Sequence, residues 1–311
     1  MSHNQITTPR TAVPALAAVF FTVAGALVPN AHAASAAANT RIILSPIDRS
    51  TGGSSAGSVV FATDSQTTPP QTVSVNASAG NGSLSTFASG FAGPLFGGNA
   101  IGLATASLTD SFVVGFDGSV SNKILLDFAI HASGDASFSH GSLTNGATGG
   151  ARVAYGFSVT GLGFQQSVGG SVERGVQRNF KTFQLEDFEI FEGPPLIDFK
   201  LTLEASADTA NFFDLAMSSR SLVSVKPGAA GTSSSAVADF GSTFTWLGLS
   251  RAYLPDGTPY TGALNITSTS GFNYGQAIAP VPEPATCAML LAGLGLIGWR
   301  MQSAAGRATR G

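Results

Sequence analysis

The chain has 311 residues, 11% of them charged, and a net charge of −3 at pH 7. With no basic stripe to neutralise phosphates, a nucleic-acid partner is excluded. The single cysteine, Cys287, rules out an intrachain disulfide framework.

Arg10 is the sole charged side chain in the first 40 residues, counting histidine as neutral. An apolar stretch from Ala12 to Val28 follows, then Pro29-Asn30 and Ala31-His32-Ala33. A positive flank, an apolar core and a small-x-small site describe a secretory signal peptide, cut between Ala33 and Ala34. The alternative is a first transmembrane helix that is retained, but Pro14 within the run and the Ala-x-Ala ending weigh against it. Residues 1–33 are therefore expected to form a signal-peptide helix and residues 34–280 an exported body.

The body spans 247 residues, enough for one large all-β domain or two small ones. It holds eleven Lys/Arg against seventeen Asp/Glu, a net charge of −6. Glycine, serine, threonine and alanine dominate. The chain's 22 phenylalanines, almost all in this span, argue against disorder, because such a chain collapses to bury them. With no cysteine in the body, its core must hold without a disulfide.

Arg41-Ile42-Ile43-Leu44 predicts a first strand and Thr72-Val73-Ser74-Val75 a second, while Ser89–Gly98 holds too much glycine to assign. Ser111–Phe116 runs into an Asp117-Gly118 turn, and Lys123–His131 reads as a largely buried strand. Ala136–Ser139 follows the Ser133-Gly134-Asp135 turn. Val153, Tyr155, Phe157 and Val159 alternate with small or polar residues, the mark of a one-face strand. The apolar set begun at Phe180, Phe183 and Leu185 changes phase at Phe188 and Ile190, which predicts a bulge near Glu186-Asp187. Ile197, Phe199, Leu201 and Leu203 share a face; Asn211–Met217 and Ser221–Val225 predict two further strands. Phe240–Leu249, the Pro255–Pro259 turn and Leu264–Thr267 complete the body. Short strands at regular spacing, with no amphipathic helix, predict an antiparallel β-sandwich of jelly-roll-like character.

Little in the body carries chemistry. His131 and His140 flank Asp135, yet nothing completes a zinc site. Gly53-Ser54-Ser55-Ala56-Gly57 matches the letters of a nucleophile elbow without its strand-to-helix context. Asp187 and Glu189 would share a strand face about 7 Å apart, the spacing of an inverting glycosidase pair, but acidic residues also protect an edge strand. Asp117-Gly118-Ser119 and Asp256-Gly257-Thr258 place carboxylates in turns that suit calcium, without EF-hand spacing. Trp246, Tyr253, Tyr260 and Tyr274 would stack on sugars if exposed, although residues of this type in such strands are normally core. No metal or cofactor is assigned.

The last 31 residues are more specific. Val281-Pro282-Glu283-Pro284 opens them, a charge-free run from Ala285 to Trp299 follows, and Arg300, Arg307 and Arg310 close them. The run includes Leu290, Leu291, Leu294, Leu296 and Ile297. Physically this is an extended proline-fixed segment, a short hydrophobic helix that enters the membrane, and a cationic end that resists translocation. An ordinary C-terminal anchor is the alternative. At 15 residues with three glycines, however, the run falls short of the ~20 that usually span a bilayer, which suits a temporary stop.

Pro282-Glu283-Pro284, the hydrophobic run and the arginines together resemble the PEP-CTERM sorting signal of exopolysaccharide-producing bacteria, whose proteins are processed by an exosortase. The segments Ala238–Phe240, Leu254–Thr258 and Thr267–Gly271 more loosely resemble the strand–turn–strand that often precedes this signal. The resemblance implies an exosortase as partner, supplying the catalytic residues, with this chain as substrate. It also implies a transient inner-membrane intermediate, then delivery to the cell surface or extracellular matrix, with exopolysaccharide as a further partner. Glu283 would be the recognition carboxylate, and the three arginines would stay cytoplasmic. The expected function is that of a non-enzymatic exported surface protein. A carbohydrate-binding or carbohydrate-active sandwich is the alternative, and an adhesive subunit polymerising through sheet edges a third possibility.

Overall fold

The structure, a computed structural model, describes residues 34–276 apart from 45–46, 57–58, 69–70, 81, 94–98, 141–147, 162–163, 179–184, 193–197, 209–210 and 227–232. The expected signal-peptide helix, the C-terminal hydrophobic helix and the boundaries at 33 and 281 lie outside the described residues. Among those described there are fifteen strands. The first five are β1 (Ser35–Leu44), β2 (Ile47–Ser55), β3 (Val60–Thr68), β4 (Gln71–Gly80) and β5 (Ser83–Ala92). The next five are β6 (Ala100–Phe116), β7 (Lys123–Ala132), β8 (Asp135–His140), β9 (Thr148–Gly161) and β10 (Phe164–Arg178). The last five are β11 (Leu185–Glu192), β12 (Asp198–Ser206), β13 (Asn211–Lys226), β14 (Ser234–Tyr253) and β15 (Leu264–Ser268).

They form two sheets, as expected of an antiparallel sandwich. One runs β11-β10-β9-β13-β6-β1-β2 with β15 added to β6; the other runs β12-β7-β14-β5-β4-β3 with β8 beside β14. Every pairing is antiparallel. The chain makes a β3-β4-β5 meander in the second sheet, then crosses to lay β6 between β1 and β13 in the first. Alternate residues of each central strand point inward, and together they form one hydrophobic cluster.

The core has two textures. Around β1, β4, β5 and the first half of β6 it is built from alanine and valine: Ala38, Ala77, Ala88, Ala104, Val73 and Val75 are all buried. Gly102 belongs here of necessity. A Cβ at that position would lie 2.8 Å from Val73 Cγ1 and 2.9 Å from Val75 Cγ1 on the opposite sheet. The other half is aromatic, with Phe112, Phe128, Phe240, Phe244, Trp246 and Tyr274 fully buried. Trp246 lies 4.9 Å from the Phe128 ring and 5.1 Å from that of Tyr274.

Two local expectations are corrected. Asn211–Met217 and Ser221–Val225 are halves of a single strand, β13, paired along its length with β6 and β9, so small residues between them do not interrupt it. No bulge occurs at Glu186-Asp187, because β11 pairs with β10 without a shift from Leu185 to Glu192. The change of phase instead reflects an edge strand that carries apolar residues on both faces. The register shifts fall in β14, at Phe240/Phe244, Trp246/Gly248 and Leu249/Arg251, where that strand passes from β5 and β8 to β7.

Candidate functional site

Val281, Pro282, Glu283 and Pro284 lie outside the described residues, as do Leu290, Leu291, Leu294, Leu296, Ile297, Trp299, Arg300, Arg307 and Arg310. So do Ala31 and Ala33. Ala34 is described and buried, and β1 begins at the next residue. What the structure describes is the stretch of chain that leads into the sorting segment.

That stretch is tied down by a buried carboxylate. The inward positions of β6 read Ala100, Gly102, Ala104, Ala106, Leu108, then Asp110, then Phe112 and Val114. Asp110 is 2% exposed and would be costly there without partners. It has five. The amides of Ser111 and Ser270 donate to Oδ1 at 2.8 and 3.2 Å, and Thr269 Oγ1 donates to the same atom at 2.8 Å. Ser270 Oγ and Tyr274 Oη donate to Oδ2 at 2.5 and 2.8 Å. Burial, reinforced by the Asp110 charge, pushes the Tyr274 phenol far above its ordinary value, so it remains a donor. Trp246 Nε1 donates to the Tyr274 carbonyl at 2.8 Å, and the Thr269 amide to the Ser111 carbonyl at 2.9 Å. Thr269–Tyr274 is thus clasped to both sheets. Gln276, two residues past Tyr274, is the last residue described before the sorting motif.

The body's other candidates separate on inspection. His131 Nδ1 lies 2.5 Å from Asp198 Oδ1 on β12, whereas His140 Nε2 lies 3.2 Å from Asp187 Oδ1 on β11. Asp135 pairs with Arg174 at 2.6 Å, so the two imidazoles and the carboxylate between them in sequence do not converge. Gly53–Ser55 belongs to the exposed edge strand β2, with β3 following rather than a helix. The Asp117 and Asp256 carboxylates each accept the amide two residues on, at 2.9 Å, and these bonds hold both below the usual carboxylate range. Both sites are Asx turns, and Gly257 takes the left-handed conformation that its turn requires (φ 89°). Trp246 and Tyr274 are core, Tyr253 lies under Arg251 at 3.9 Å, and Tyr260 Oη donates within its own turn. These aromatics offer no exposed stacking platform.

Asp187 and Glu189 do share a face. They line a cleft of about 360 Å³ with Phe138, Arg174 and Phe188, between β8 and the β10–β11 hairpin. Each carboxylate is engaged by its own partner, Asp187 by the His140 ring and Glu189 by Arg174 at 2.5 Å. This arrangement fastens an edge strand instead of presenting a free acid–base pair. A second buried carboxylate was not singled out from sequence. Asp127, 1% exposed on the outer face of β7, accepts Lys200 Nζ and Thr202 Oγ1 at 2.8 Å and Tyr253 Oη at 3.2 Å. Desolvation acts to raise its pKa, but the bonds from Lys200, Thr202 and Tyr253 outweigh it and hold the carboxyl below its usual range.

No curated protein and no solved structure matches the chain. Residues 280–302, however, match the family model of the PEP-CTERM protein-sorting motif. The chain therefore carries a PEP-CTERM protein-sorting motif at its C-terminus, which implies an exported protein sorted by an exosortase toward the cell surface.

Proposed function

We propose that the chain is a non-enzymatic surface or matrix protein whose folded β-sandwich is the cargo and whose termini are processing signals. The N-terminal segment opens export, the C-terminal run holds the precursor in the inner membrane, and an exosortase cuts near Pro282-Glu283-Pro284. The released body then joins the cell envelope or its exopolysaccharide. The observation that carries this is the ordered succession of motif, apolar run and arginines after position 280. The non-enzymatic reading draws support from His131, His140, Asp187 and Glu189, each of which is engaged by a partner on a neighbouring strand.

Prolines on both sides of Glu283 keep its backbone extended and unpaired, so its carboxylate is free for a processing enzyme to read. Glu283→Ala should leave an uncut, membrane-bound precursor, measured by immunoblot of membrane and released fractions. Release of a product of normal size from that variant would refute the assignment.

A further inference from the structure

β1 and β15 lie end to end along one edge of β6. β15 covers Phe112–Phe116 and β1 covers Ala100–Thr109, so Asp110 and Ser111 fall in the gap between them. The Thr269–Tyr274 clasp closes this gap from one side. The start of the body closes it from the other. Ser35 stands opposite Thr109, their hydroxyls 3.2 Å apart, and one further step of that ladder sets Ala34 against Asp110. Ala34 is 5% exposed and in phase with buried Ala36 and Ala38, so it faces inward as Asp110 does. Residues directly opposed in an antiparallel pair have Cα atoms about 4.5–5.5 Å apart.

Asp110 has hydrogen bonds enough but lacks a counter-charge. Its two oxygens accept five bonds, all from neutral donors. The buried carboxylates among the described residues are Asp64, Asp110 and Asp127. Asp64 has Arg49 at 3.8 Å and Asp127 has Lys200 at 2.8 Å, whereas Asp110 has no cationic side chain within ion-pair distance. A buried charge left without its opposite is costly. Hydrolysis between Ala33 and Ala34 would make the missing cation. The C–N bond breaks, the water oxygen joins the Ala33 carboxylate, and the two water protons pass to the Ala34 nitrogen, which becomes an ammonium.

We propose that removal of residues 1–33 completes the clasp: the new α-ammonium of Ala34 becomes the counter-ion of Asp110 and locks both ends of the body to β6. This rests on the export reading above, with its cut after Ala33. In the uncut chain the same nitrogen is an uncharged amide, so the segment that leads into the sorting motif is held most firmly only after N-terminal processing. Few other ionisable groups face the gap. Tyr274 lies on the clasp, and Asp214, on the outer face of β13, accepts Ser111 Oγ at 2.6 Å. β4 and β5 carry none; Arg41 of β1 pairs with Asp48, and Asp64 of β3 with Arg49, which stands opposite Ile42. An ordinary α-amine titrates at about 7.7–8.0, and beside Asp110 it should hold its proton roughly tenfold more tightly. With the folded value raised, the pairing stabilises fully below the ordinary value and is lost as pH rises through the folded one.

The test uses the exported full chain in detergent micelles, compared with Ala33→Leu, which spoils the small-x-small site and retains residues 1–33. Trace acetylation across pH, read by mass spectrometry of the N-terminal peptide, gives the proton affinity of the α-amine, and urea unfolding gives stability. The cut chain should show the raised affinity. At about pH 6.5 its unfolding equilibrium constant should be roughly tenfold smaller than that of Ala33→Leu, with the advantage gone above about pH 10. In Asp110→Asn the affinity should return to the ordinary range and the advantage disappear. Should Asp110→Asn fail to fold, the parent's own α-amine decides: an ordinary affinity overturns the proposal. So does an advantage that persists above about pH 10 or survives in Asp110→Asn. N-terminal sequencing keeps the two readings apart. A chain that starts elsewhere refutes the cut and the pairing together, whereas a chain that starts at Ala34 with an ordinary α-amine refutes the pairing alone.

Discussion

Two buried carboxylates do different work in this fold. Asp110 is an internal clasp whose donors all come from neutral groups, and its removal strands several of them. Asp110→Ala should destabilise the body by about 3 kcal/mol, since it leaves the Tyr274 hydroxyl and the Ser270 amide unsatisfied. Tyr274→Phe, which deletes one donor and keeps the ring, should cost about 1–2 kcal/mol. Urea unfolding followed by circular dichroism measures both, and values near zero for both would show that the ring's packing, not the carboxylate, fixes the segment. Asp127 instead anchors cations. Its folded pKa is depressed, so its contribution is fully present above the unfolded value of about 3.9 and is lost as pH falls through the lower folded value. Asp127→Asn should therefore cost about 2–4 kcal/mol at pH 7 and progressively less below pH 4. A penalty that stays constant down to pH 2 would contradict the ion-pair account.

The elements divide by how well sequence announces them. Lys123–His131 and Gly150–Thr160 were legible because bulky residues recur on one face, and β7 and β9 lie where that alternation places them. β2, β5, most of β6 and β10 were not, because their faces are separated by alanine, glycine and serine, residues that no hydropathy pattern distinguishes. Those strands exist because neighbours on both sides, or one neighbour and a corner, complete their hydrogen bonds, and this is tertiary information. The Asp110 clasp was hidden for the same reason: its inward phase becomes visible only once β6 is known to extend back to Ala100. The sorting motif was legible where the family match covers it, residues 280–302, since short linear recognition needs no fold. Close sheet approach at the small-residue half gives a direct check. Gly102→Val should destabilise by about 1–3 kcal/mol through overpacking against Val73 and Val75, where the same change at exposed Gly53 should be nearly silent. The β12 ladder shows the opposite economy. Lys123→Ala should lose no more than about 1 kcal/mol, because both it and Glu204 are half exposed.

At the scale of the whole molecule, an exported fold without a disulfide depends on how much aromatic and small-residue surface two sheets can bury against each other. Cys287 stands in the sorting segment, so melting of the body should be the same with and without a thiol reductant. The two tryptophans divide between the cargo and the signal. Trp246 is fully buried among Phe112, Phe128 and Tyr274, and Trp299 ends the apolar run. If the tail is removed after export, the released protein holds one indole, shielded from solvent. Its emission should resist acrylamide quenching until the body unfolds, then shift to the red in a single transition that coincides with loss of the β-sheet signal. The membrane-bound precursor, carrying both, should show a second emitting population that responds to quenchers placed in the lipid. Intact-mass measurement of the released form supplies the independent coordinate: a mass that starts near Ala34 and ends near Pro284 agrees with both processing steps. A released protein that retains Trp299, and with it the lipid-quenched emission, would mean that the tail is an anchor after all.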